Sequence, residues 1–123
     1  MKSILLVFLG GGLGSSLRYL TGKWLNNSQN GIPYGTFTAN ILGSLLIGII
    51  LGWALKHNSL NSNTVLLLAT GFCGGFTTFS TFAFENHTML RTGDFFNFAI
   101  YMLASIILGF AAVFAGMWAA RFL

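Results

Sequence analysis

The chain has 123 residues, of which 54% are hydrophobic and only 7% charged, with a mean hydropathy of +0.76 and a net charge of +4. Soluble domains carry about a quarter charged residues, so this composition excludes an ordinary soluble fold. The cations are spread along the chain and form no basic patch for nucleic acid.

The lone cysteine, Cys73, excludes an internal disulfide or a multi-cysteine metal site and reads as a small buried hydrophobe. A spanning helix needs roughly 20 apolar residues. Four such helices with short loops use the whole length, which predicts a single all-α transmembrane domain over 1–123.

The first span is expected from about Ile4 to Leu20. No small-residue cleavage site follows Lys2 and its apolar stretch, so it reads as a retained span rather than a signal peptide. Gly10 and Gly14 in GGGLGSSLRY have the spacing that lets another backbone come close. No Gly-Lys-Ser/Thr ending follows, which argues against a phosphate loop. Arg18 lies roughly 21 Å along such a helix at ~1.5 Å per residue. There it either snorkels or faces a wet cavity. Lys23 to Tyr34 reads as a polar loop holding the only proline, Pro33. Asn26-Asn27-Ser28 and Asn86-His87-Thr88 match the glycosylation pattern, both read as chance.

The second span is expected over about Thr36 to Leu55. Thr36, Asn40 and Ser44 share one face at i, i+4 and i+8. The Asn40 amide needs partners inside a membrane. It could make an interhelical hydrogen bond; with two hydroxyls on its stripe, the favoured reading is a donor lining a polar path. Lys56 to Asn63 is a second polar loop, with His57 solvated.

The third span begins near Thr64 and holds GFCGGFTTFSTFAFE, Gly71 to Glu85. Gly74 and Gly75, followed by Thr77, Thr78, Ser80 and Thr81, favour a break in the helix. In a bilayer, broken backbone is tolerated only where protein or a water-filled cavity meets the freed groups. Phe76, Phe79 and Phe82 recur every third residue through the stretch. Glu85 and His87, near the span's end, read as interfacial and solvated. Arg91 to Asp94 reads as a tight turn. The fourth span is expected over about Phe95 to Ala119, with Tyr101, Ser105 and Gly109 on one face.

With four spans, Lys2, Lys56 and Arg121 fall on one side, against Lys23, Arg91 and arguably Arg18 on the other. Orientation follows an excess of Lys and Arg on the cytoplasmic side. Here the bias is almost nil, which predicts insertion both ways up and an antiparallel, dual-topology homodimer. The inward inventory of Asn40, Thr77, Thr78, Ser80, Tyr101 and Ser105 can donate to an anion. The ring edges of Phe79 and Phe82 carry positive partial charge. No carboxylate is expected at mid-membrane, which argues against a proton- or cation-coupled path. Carbonyls freed by a broken helix can hold a small cation such as Na⁺. There is no nucleophile–base pair, so an enzyme is not expected.

GGGLGSSLRY, GTFTANILGS and GFCGGFTTFSTF, in this order and at this spacing, resemble the small dual-topology fluoride channels of the Fluc or CrcB family. The resemblance covers the whole chain. It implies export of fluoride from the cell across its plasma or inner membrane, down the electrochemical gradient, which reduces fluoride toxicity. It further implies two pores per antiparallel homodimer and a structural Na⁺ at the dimer centre. By position, the carbonyls of Gly74 and Thr77 would hold that Na⁺. Phe79 and Phe82 would face fluoride, Asn40 would be the pore amide, and Arg18 the vestibule cation. Tyr101 and Ser105 would belong to a polar track on the fourth span, with Ser80 and Thr81 near the pore. Gly109 stands where that track would continue with a hydroxyl. The rivals are a small multidrug transporter, which needs a carboxylate that the first span lacks, and a non-transporting scaffold subunit.

Overall fold

Four spans long and apolar enough to cross a membrane make up the computed structural model, which describes residues 1–26 and 31–123. The first span is the helix Lys2–Leu25 and the second is Tyr34–Lys56. The third span covers Asn63–Arg91 in two halves. The fourth is Phe95–Ala119, followed by a 3₁₀ turn, Ala120–Phe122.

The first helix is longer than its sequence suggests. Lys23 and Trp24 belong to its last turn rather than to the loop, because nothing between Gly22 and Leu25 stops the winding. Asn26 leaves in an extended conformation while its N–H still donates to the Gly22 carbonyl. Asn27 and Ser28 of the first glycosylation match lie outside the described residues. The second match is closed off, since Asn86 is buried within a helix and donates to the Phe82 carbonyl. The second helix starts after Pro33, whose missing N–H suits that place. The fourth starts at Asp94, whose carboxylate accepts the Asn97 N–H. The turn before it uses Gly93 at φ 80°, a conformation open to glycine.

Two glycine seams hold the bundle. In one, Gly10 and Gly14 of the first span meet Leu67, Phe72 and Phe76 of the third. Gly71 and Gly75 answer from the other side, with Gly75 against the backbone of Gly11. In the other seam, Gly48 of the second span meets Val113, and Gly116 of the fourth meets Leu45 and Ile49. Backbones this close gain dispersion contact that lipid cannot supply. Large apolar side chains such as Phe8, Phe110 and Phe114 point outward, as expected of surfaces bathed in lipid.

The leading half of the third span is wound unusually. Asn63–Val65 is α, Leu66–Cys73 is a π-helix, and Gly74–Phe76 returns to α. A π-helix, bonded i to i+5, turns more slowly than an α-helix. A mix of the two keeps residues four apart on one line, which suits Leu67, Gly71 and Gly75 facing the first span.

Candidate functional site

The third span does break, but not at its glycines. Gly74 and Gly75 are helical, and the chain leaves the helix at Thr77 and Thr78, both extended. The break falls at the threonine end of the expected Gly74–Thr77 stretch, because Gly75 packs on the Gly11 backbone of the first span and Gly74 continues the same helical turn. The trailing half, Phe79–Arg91, then starts afresh.

The break leaves a defined set of backbone groups. The Thr78 N–H, which an unbroken helix would give to the Gly74 carbonyl, donates to Asn40 Oδ1 at 2.8 Å. Asn40 Nδ2 in turn donates to the Thr78 carbonyl at 3.3 Å. Asn40 thus replaces the partner that the Thr78 N–H lost and adds a donor to the carbonyl of Thr78, the residue that caps the trailing helix, so the interhelical bond it was read against is the one it makes. The Thr81 N–H, which would have gone to Thr77, donates to Thr78 Oγ1 at 3.2 Å, an N-cap for the trailing half. The Gly74 and Thr77 carbonyls are therefore both deprived of their intrahelical donors. Such oxygens suit a small hard cation. Among the described residues no three His, Cys, Asp or Glu side chains converge, so side chains offer no rival cation site of that kind.

Arg18 is half-buried and serves this break from the first span. Its Nε donates to the Gly75 carbonyl at 3.0 Å, beside Ser15 Oγ at 3.4 Å. A guanidinium at the end of the leading half meets the negative end of that helix. It neither snorkels free nor lines the cavity described next.

A cavity of about 360 Å³ lies on the break's other side. Thr77, Thr78, Phe79 and Phe82 line it from the third span, with Gly74 and Cys73 above them. Asn40, Gly43 and Ser44 line it from the second span, and Ser105 from the fourth. No charged side chain is among its walls. The Phe79 and Phe82 rings lie 6.0 Å apart, centre to centre, at 45°. They differ in setting: Phe82 is 8% exposed and packs on Tyr101, whereas Phe79 is 79% exposed. Ser80 and Thr81 are outside this lining. Ser80 is exposed, 3.4 Å from Thr78 Oγ1, and Thr81 is half-buried in the first turn of the trailing half. Tyr101 is also outside it, buried behind Phe82. Gly109 borders a second cavity of about 280 Å³ that also touches Ser44 and Ser105.

Glu85 overturns its expected solvated place. It is half-buried, accepting the Thr36 hydroxyl at 2.8 Å and the Tyr101 hydroxyl at 2.8 Å. Asn26 completes the cluster by accepting the Gly35 and Thr36 N–H groups. A carboxylate is therefore held inside the bundle, within the third span. Thr36, one turn before Asn40, was the sequence's signal for it; the partner across the bundle was not visible. Gly43 was also missed. A methyl there would strike the Thr77 side chain, so its size sets the approach of the second span to the break. His57 is exposed as expected and lies against Trp53.

The CrcB-like protein (Camphor Resistance) family model matches residues 5–117. A relative from Gloeothece citriformis, named a fluoride-specific ion channel FluC, is 49% identical over 96% of each chain. Relatives of the same name come from Leptospira interrogans, 44% identical over 95% of this chain and 93% of its own, and from Hyphomonas neptunium, 46% identical over 98% and 97%. The family is one of ion channels rather than enzymes. Matched along nearly its whole length, this multi-pass membrane chain belongs to the CrcB-like family.

Proposed function

We propose that the chain is a fluoride-selective channel that lets fluoride leave the cell across the plasma or inner membrane, down its electrochemical gradient. The observation that carries this reading is the uncharged cavity at the break, walled by hydroxyls, an amide and two phenylalanines. The names of the relatives point to the same ion.

Fluoride is small and strongly hydrated, so a conducting path must replace its water with many donors. Hydroxyls and ring edges can do this without a fixed charge that would trap the ion. Conduction needs binding strong enough to admit and weak enough to release. Asn40 holds the break open by pairing with Thr78, and its remaining amide proton is available to the cavity. Arg18 stays at the helix end on the far side, where it can attract an anion without lying in its path.

The working unit in this reading is an antiparallel homodimer with two pores. Phe79, with 79% of its surface exposed in a single chain, is left for a second copy to cover. The charge balance favours insertion both ways up. Arg18 is spent inside the bundle, and Lys56 Nζ donates to the Arg121 carbonyl at the opposite end from Lys23 and Arg91. At the dimer centre, the Gly74 and Thr77 carbonyls of both copies would hold one structural Na⁺. That ion would neutralise the negative ends of two broken helices.

Growth in fluoride tests the export function. Cells stripped of their own fluoride export should regain growth when they express this chain, with C-terminal reporters found on both sides of the membrane. Failure to restore growth by a chain that reaches the membrane would contradict the channel. Reporters on one side only would contradict the antiparallel dimer.

A further inference from the structure

The fourth span offers two hydroxyl positions on its polar face, Tyr101 and Ser105, and then Gly109. The space a side chain would fill at Gly109 is open. A methyl built there meets nothing nearer than Ser44 Oγ at 4.0 Å. Ser44 stands on the second span, one turn beyond Asn40. Ser44 and Ser105 are the two residues that line both the cavity at the break and the neighbouring one of about 280 Å³. Ser105 Oγ is buried and has no hydrogen-bond partner among the described residues, so it is a polar group waiting for one.

We propose that Ser44 supplies, from the second span, the hydroxyl that Gly109 lacks, and so carries the anion path from Ser105 into the second cavity. The proposal rests on the fluoride-channel reading above and adds a path residue to it. The chemistry allows it. The Ser44 hydroxyl donates to the Asn40 carbonyl at 2.7 Å. That carbonyl also faces the Ser44 backbone N–H of the same helix, so it is not orphaned when the hydroxyl turns away. A hydroxyl hydrogen rotates to suit its partner. Ser44 can therefore swing its proton from its own helix to a passing anion, with Ser105 on the facing span as the second donor. Neither cavity has a charged wall, and in the second Ser44 and Ser105 are the hydroxyl donors beside Gly109, Phe110 and Val113.

The test is fluoride efflux from proteoliposomes, read with a fluoride electrode, for the wild type, Ser44→Ala, Gly109→Ser and the double variant. Ser44→Ala should lower the efflux rate by about tenfold or more, the effect of losing one hydrogen bond to a charged group. Gly109→Ser in the Ser44→Ala background should restore most of it, because the hydroxyl then comes from the other wall. A purely structural role for Ser44 would not be rescued from the fourth span. If Ser44→Ala does not assemble, Ser44→Cys keeps the size but offers only a weak donor, and the same fall is expected. A conducting wild type whose Ser44 variants release fluoride at the wild-type rate overturns the proposal alone. So does a slowed Ser44→Ala that Gly109→Ser leaves slow. A folded wild type that releases no fluoride overturns the channel reading, and this proposal with it.

Discussion

The two halves of the third span are made from neighbouring sequence and do opposite work. The leading half, 63–76, is apolar, partly π-wound, and pressed by Gly71 and Gly75 onto the first span. The trailing half, Phe79–Arg91, is polar and aromatic, and lies against the fourth span through Phe82, Met89 and Tyr101. One half is held by close backbone packing, the other by side chains and hydrogen bonds. The joint between them is held from both neighbouring spans, by Asn40 on the backbone groups of Thr78 and by Arg18 on the Gly75 carbonyl. The lesson is that a broken helix in lipid can be stabilised from the neighbouring spans by an amide on one side and a guanidinium on the other. The cavity can then be left to its hydroxyls and rings.

The sharpest way to break the comparison is at the seam. Gly75→Val should abolish the folded protein, since a side chain there would collide with the Gly11 backbone. Gly74→Ala should not, because a methyl there meets only the Ala69 carbonyl at 3.9 Å. Monodispersity after extraction in mild detergent reads the difference. If both variants behaved alike, the seam would not be what fixes the leading half.

On the trailing half the expected effect is on flux rather than folding. Phe82→Ile or Phe79→Ile should cut fluoride efflux at least about tenfold while leaving a folded dimer, because an aliphatic side chain has no positive ring edge. Unchanged flux in both variants would remove the phenylalanines from the mechanism.

Smaller effects are expected at the joint. Asn40→Ala should lower stability by about 1–3 kcal/mol, the cost of leaving the Thr78 N–H unpaired, measured by thermal unfolding in detergent. A variant as stable as the wild type would mean that water or another group satisfies the break. Thr78→Ala should cost about 1 kcal/mol through the lost cap on Thr81, with Thr78→Ser nearly neutral. Equal losses for the two substitutions would assign the effect to the methyl group instead.

The spans were legible in the sequence wherever local chemistry decides them. The fourth runs from Phe95 to Ala119 as read, because Gly93 and Asp94 build a turn and a cap out of adjacent residues. A break in the third span was legible from its glycines and threonines. That it sits at the threonine end of that stretch was not, because Gly75 is held in the helix by the backbone of Gly11 on the first span. Arg18 and Glu85 were misread or left open for the same reason. Each is satisfied by partners on other spans, Gly75 for one, Thr36 and Tyr101 for the other. Residues that pair across a bundle look solvated when read along the chain.

The central claim is that the uncharged cavity at the break conducts fluoride in preference to other halides. It is tested most directly by efflux from proteoliposomes holding the wild-type chain, with fluoride and chloride release measured side by side. Rapid fluoride release with little chloride is the predicted result. Equal release of both, or none from a folded dimer, would contradict it.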